Sequence, residues 1–135
     1  MKQVYPVIFT LLDEGGYLVT MPDFDGTNTH GEDLSQAIEM ARDAMGLMGI
    51  CIEDEGKALP NPSAINNIMT DPGEIVSIVD VDFSEYRRRN DLKTVKKNCT
   101  IPNWLNIEAE HAGVNFSLVL QNGLKEYLNL QDRVY

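Results

Sequence analysis

Apolar positions along this chain follow two periods, and each change of period marks a predicted element. Val4 to Leu12 and Tyr17 to Met21 are dense in β-branched and aromatic side chains, with Asp13-Glu14-Gly15-Gly16 between them. Glycines there supply the positive φ of a tight loop, so the two runs predict a β-hairpin. Pro6 cannot donate to a strand ladder and predicts an edge position or a bulge near the start of the first strand. Pro22-Asp23-Phe24-Asp25-Gly26 breaks the second strand, and the TNTH stretch at residues 27–30 predicts a short third one. A helical period then takes over, with Leu34, Ile38, Ala41, Met45, Met48 and Ile52 forming one buried stripe at spacings of three and four. Asp33 is its N-cap, Gln36 completes a capping box, and Gly56 falls at the C-cap. Gly46 and Gly49 inside this helix predict close backbone packing against the sheet. After the proline-bearing loop ALPNPS, Glu74 to Asp82 reads as a strand. It is apolar on both parities, so it is covered on both faces or used at a subunit contact.

The pattern then lapses. EYRRRNDLKTV is polar, cationic and without period, which predicts a tether over residues 84–93. Beyond it Val95, Lys97, Cys99 and Ile101 share one strand parity, and Lys96, Asn98 and Thr100 share the other. Pro102 opens a helix carrying Trp104, Leu105, Ile107 and Ala109, and Gly113 stops it. A second helix follows, capped by Asn115 or Ser117, with a stripe of Phe116, Val119, Leu120, Leu124, Tyr127 and Leu128. One strand and two short helices cannot bury these faces alone. They need a partner strand, and an identical chain is the simplest source.

Charge divides the chain at the same place. Of its 135 residues, those up to Tyr86 hold three cations against sixteen carboxylates, and those from Arg87 onward hold eight cations against five. Such asymmetry predicts that the second part meets nucleic acid, while the first repels it or meets a basic partner. No run approaches the roughly 20 apolar residues that span a bilayer, and the N-terminus lacks a signal-peptide pattern, so a cytoplasmic location without membrane contact is expected. Cys51 and Cys99 read as separate reduced core residues, and His30 and His111 as isolated side chains. No metal or other cofactor is therefore expected.

Three function classes compete. A metal-dependent nuclease would draw on Asp13, Glu14, Asp23 and Asp25, but such chemistry needs carboxylates held rigidly together, and the first strand contains none. Phosphate-loop and nucleophile-elbow motifs are also absent, so the chain reads as non-enzymatic. The other two classes are a ligand-responsive repressor and a regulator with a protein partner.

The strand, the Ile101-Pro102 step and the two helices resemble the ribbon–helix–helix fold of bacterial repressors. That resemblance implies strands paired between two chains. It also implies Lys96, Asn98 and Thr100 turned into the DNA major groove, and a phosphate held at the helix start by Asn115, Phe116 and Ser117. Thr100 stands where this family commonly has arginine. The stretch GGYLVTMPDFDGTNTHGEDLSQAIEMARDAM, with LPNPS after the helix, resembles HicB antitoxins. Together these likenesses imply an α+β chain, with a partial ribonuclease H-like toxin-neutralising domain at residues 1–83 and a ribbon–helix–helix domain at residues 94–135. They imply a small basic HicA toxin that cleaves messenger RNA as one partner, operator DNA as another, and a homodimer that could pair into a tetramer. Asp23, Asp25, Glu32 and Asp33 are the toxin-facing candidates by charge and loop position.

Overall fold

The computed structural model describes residues 2–133. The chain divides between Arg89 and Asn90 into two compact units. The first contains strands β1 (Lys2–Leu11), β2 (Tyr17–Met21), β3 (Thr27–Gly31) and β4 (Glu74–Asp82), with helices α1 (Leu34–Asp54) and α2 (Phe83–Arg89). The second contains helices α3 (Asn103–His111) and α4 (Phe116–Leu128).

The hairpin forms as its glycines require, with Leu12 N–H donating to Gly16 O at 3.0 Å and Gly15 N–H to Leu12 O at 3.0 Å. All pairings are antiparallel and the sheet order is β3-β2-β1-β4. β1 is thus an inner strand and not the edge that Pro6 predicted. Pro6 is accommodated because the ladder to β2 begins only at Ile8, while its partner on β4 is Ile78. Odd positions of the sheet face α1: Tyr5, Val7, Phe9, Val19, Met21, Val79 and Val81 close on Ala37, Ala41 and Met45, with Phe24 and Phe83 filling the ends. Burying each of the larger side chains contributes about 1.5–3 kcal/mol. The Tyr5 ring meets Phe24 edge-on at 4.8 Å, and its hydroxyl donates to Pro60 O at 2.8 Å, so the one polar group in this core is satisfied.

Helix α1 begins at Asp33 as expected, but the return bond of the box falls one residue earlier, on Glu32 in place of Asp33. Asp33 Oδ1 accepts the Gln36 N–H at 2.8 Å, and Gln36 Oε1 accepts the Glu32 N–H at 2.7 Å. It ends with Gly56 N–H on Glu53 O and Lys57 N–H on Ile52 O, the paired bonds of a Schellman cap. The buried stripe differs at its ends from the one predicted. Ala37 is buried and Leu34, at the first turn with no sheet beneath it, is 51% exposed. Cys51 is exposed on the outer face and is not a core residue. β4 is covered on one face only, and there only in its second half: Val79 and Val81 are buried, whereas Ile75 on the same face and Ile78 on the other are exposed.

Two expectations need correction around α2. The tether over residues 84–93 is helical as far as Arg89, so the first unit ends there and not at residue 83. Gly46 and Gly49 do give α1 a close contact, but with α2 and not with the sheet. A Cβ on Gly49 would strike the Phe83 ring, and one on Gly46 would strike Tyr86. Arg87 Nη1 pairs with Asp54 Oδ1 at 3.0 Å, and Glu85 pairs with Arg88 and Arg89 within α2.

In the second unit, Pro102 is the N-cap of α3, and a Schellman cap at Gly113 closes it with Val114 N–H on Ala109 O at 3.1 Å. Asn115 caps α4 through Leu118 N–H at 3.1 Å. The strand expected over residues 95–101 is not formed: residues 91–102 are neither helix nor strand. A ladder needs a second strand, and this unit contains none. Cys99, placed in a core by its parity, is exposed. No described residue of this unit is buried, and Trp104 and Tyr127 are 67% and 88% exposed.

The Phe83 wedge yields a direct test. Gly49→Val should destabilise the first unit by about 1–3 kcal/mol, since a packed aromatic must move to admit the side chain. Urea unfolding midpoints of the two proteins check this, and an unchanged midpoint would refute the α1–α2 contact.

Candidate functional site

The four acids proposed for partner contact do not form one patch. Asp23 and Asp25 lie before β3, and Glu32 and Asp33 lie after it. A five-residue strand separates its ends by roughly 17 Å. Two of the four carboxylates are occupied within the fold. Asp23 accepts from the Ser63 N–H at 3.0 Å and from the Ser63 hydroxyl, and so pins the loop that follows α1. Asp33 caps α1. Burial, and after it the Asp23 carboxylate, raises the Tyr5 phenol above its ordinary range, which keeps it a donor to Pro60 in the same loop. Asp25, in the left-handed region at φ 56°, and Glu32 are both exposed.

The hairpin acids Asp13 and Glu14 are also exposed, and among the described residues no group of three or more His, Cys, Asp or Glu side chains is placed to hold a metal ion. No described helix is long and apolar enough to cross a membrane.

Spacing in the sequence offered no sign of the ion cluster that ties the sheet to α1. Arg42 reaches across 38 positions to donate from Nε to Asp80 O and from Nη2 to Asp80 Oδ1, each at 2.9 Å, while Lys2 Nζ lies 3.0 Å from Asp80 Oδ2. Hydrogen bonds from Lys2 and then Arg42 hold the Asp80 carboxyl down at about 2. All three side chains remain part-exposed.

In the second unit the three groove-facing candidates Lys96, Asn98 and Thr100 are exposed within the irregular stretch before α3. Asn115, Phe116 and Ser117 stand together at the start of α4. The Asn115 side chain takes the Leu118 N–H, and the Phe116 and Ser117 N–H groups belong to the first turn, where a helix has no internal acceptors to offer.

Residues 5–114 match the model of the HicB-like antitoxin of bacterial toxin–antitoxin systems. The chain belongs to the HicB-like antitoxin family. Antitoxin HicB of Escherichia coli K12 is 35% identical over 63 residues, which is 47% of this chain and 46% of the relative, so the chain spans about half the length of that curated protein. Among solved structures, a chain of a toxin–antitoxin complex from Streptococcus pneumoniae is 28% identical with a TM-score of 0.59, covering 94% of this chain and 99% of that one. A chain of the HicA3 and HicB3 toxin–antitoxin complex is 26% identical with a TM-score of 0.50, covering 59% and 99% respectively. The mixed architecture of a four-stranded antiparallel sheet with helices is thus one that HicB-family structures share.

The Asp80 cluster gives this HicB-like chain a defined acid response. The carboxyl titrates near 3.8 when free and near 2 when folded, so the unfolded chain takes up the proton first as pH falls. Its stabilisation is complete above about pH 4 and is lost as pH drops through about 2. Asp80→Asn should therefore flatten the fall in stability between these values, measured as urea midpoint against pH. Identical slopes for the two proteins would contradict the cluster.

Proposed function

We propose that this chain is the antitoxin of a two-component module. Its first unit, a partial ribonuclease H-like domain without catalytic activity, binds and neutralises a small basic HicA-type toxin that cleaves messenger RNA. Its second unit, a ribbon–helix–helix domain, pairs with a second copy and binds operator DNA to repress its own operon.

The observation that carries this reading is the contrast between the units. The first closes its own core and holds most of the carboxylates. The second has apolar stripes, five cations balanced by five carboxylates, and no buried residue among those described. A toxin that handles RNA must present cations, and an acidic surface can take the place of phosphate while speeding encounter. Ile101, Trp104, Leu105, Phe116, Leu120 and Leu124 all remain exposed and fit the need for a second copy. Pairing residues 95–101 between two such copies would give the missing ladder. It would also put Lys96, Asn98 and Thr100 on one face of a two-stranded ribbon, where Asn pairs with adenine and Lys with guanine. The Asn115–Ser117 turn would hold a backbone phosphate. Membership of the HicB-like family and the toxin–antitoxin complexes among the structural neighbours support the partner assignment.

Purified HicA-type toxin from the same operon should cleave RNA alone and fall silent with an equimolar amount of the full chain. Undiminished cleavage would contradict the antitoxin reading. Asn98→Ala should weaken operator binding by about 1–3 kcal/mol and leave toxin binding intact. Unchanged DNA affinity in a gel-shift titration would refute the ribbon assignment.

A further inference from the structure

The outward face of α1 carries an arrangement that neither the fold nor the loop acids account for. At 100° per residue, Glu39, Met40, Asp43 and Leu47 fall within an arc of roughly 100° opposite the core stripe, an arc that is open up to Leu47 and closes at the buried Ile50. Met40 and Leu47 are 41% and 43% exposed, two turns apart, and are flanked by the exposed Glu39 and Asp43. These acids differ from the others near them. Glu53 and Asp54 are paired with Arg87, and Arg42, the cation between Glu39 and Asp43 in sequence, is turned away to Asp80. Among the described residues the Glu39 and Asp43 side chains take part in no ion pair or hydrogen bond. Like charges at i and i+4 destabilise a helix by about 0.2–0.5 kcal/mol, and this pair stands uncompensated.

We propose that this face of α1 is the docking surface for the cationic toxin, with Met40 and Leu47 as its apolar centre and Glu39 and Asp43 as its charged rim. The proposal rests on the antitoxin reading and gives it a location other than the four loop acids. An apolar centre ringed by charge is the general anatomy of a protein interface. The sign of the rim selects the occupant. Nucleic acid would bring phosphate against unpaired carboxylates, and a second copy of the same face would set like charges against each other. A basic protein instead offers Lys or Arg to both acids and apolar side chains to Met40 and Leu47. Docking would thereby relieve the repulsion that the free helix retains, so part of the affinity comes from removing a cost already present.

The experiment measures binding of the HicA-type toxin to full-length chains at two salt concentrations. Glu39→Lys combined with Asp43→Lys should weaken binding by at least about tenfold at low salt, with a smaller effect at high salt. Leu47→Ser should weaken it by a similar factor that salt does not restore. The same charge change in the hairpin loop, Asp13→Lys with Glu14→Lys, should leave affinity within about threefold. Melting temperatures check that each variant is folded, and Leu47→Ser carries the test if the double reversal is not. Equal losses from the α1 and hairpin reversals would overturn the proposal by showing that net charge alone matters. Full binding by both α1 variants would also overturn it while leaving the antitoxin reading standing. A parent chain that binds no toxin would overturn both.

Discussion

Everything in this structure turns on whether a stretch of chain can bury its own apolar surface. Residues 2–89 can: one long helix lies on the odd face of a four-stranded sheet, and Phe24 and Phe83 fill the ends of the layer. Residues 90–133 cannot, because two short helices joined by a glycine turn have no sheet to lie on. The first unit therefore closes its core within one chain, while the second leaves its apolar stripes exposed, as the proposed pairing with a second copy requires.

This difference separates two kinds of surface. In the first unit the interior is settled, and what the surface presents is charge. Some of that charge is structural: Asp33 caps α1, Asp23 holds the loop at Ser63, and Asp80 gathers Lys2 and Arg42 across the sheet edge. The carboxylates left over, on the outer face of α1 and in exposed turns, are those available to a partner. In the second unit the exposed surface includes the apolar stripes of both helices. An acidic first unit and a charge-balanced second unit with no buried residue among those described are what support the proposed binding of a basic protein by the one and of a second copy by the other.

Local physics made much of the first unit legible. The double glycine at residues 15 and 16 announced the hairpin, Asp33 with Gln36 announced the start of α1, and the run Glu74 to Asp82 announced β4. The misjudged features depend on contacts far away in sequence. FSEYRRR has no helical period to read. It is held as a helix by the fit of Phe83 and Tyr86 to glycines on α1, so its stability comes from tertiary packing and not from pattern. Leu34 fits the stripe but lies beyond the sheet, and Cys51 falls on the outer face because the helix turns past its core contact. Pro6 signalled an edge because the sequence does not reveal that the β2 ladder stops short of it. Of the loop acids, Asp23 could not be assigned a structural role without knowing that residue 63 returns to it.

Sedimentation velocity of the full chain over a range of concentrations tests the central claim most directly. A dimer or larger assembly is expected, with the circular-dichroism signal of α3 and α4 lost as the chains are diluted apart. A monomer that keeps that signal at the lowest concentration would show that the second unit closes its core alone, and would contradict the account.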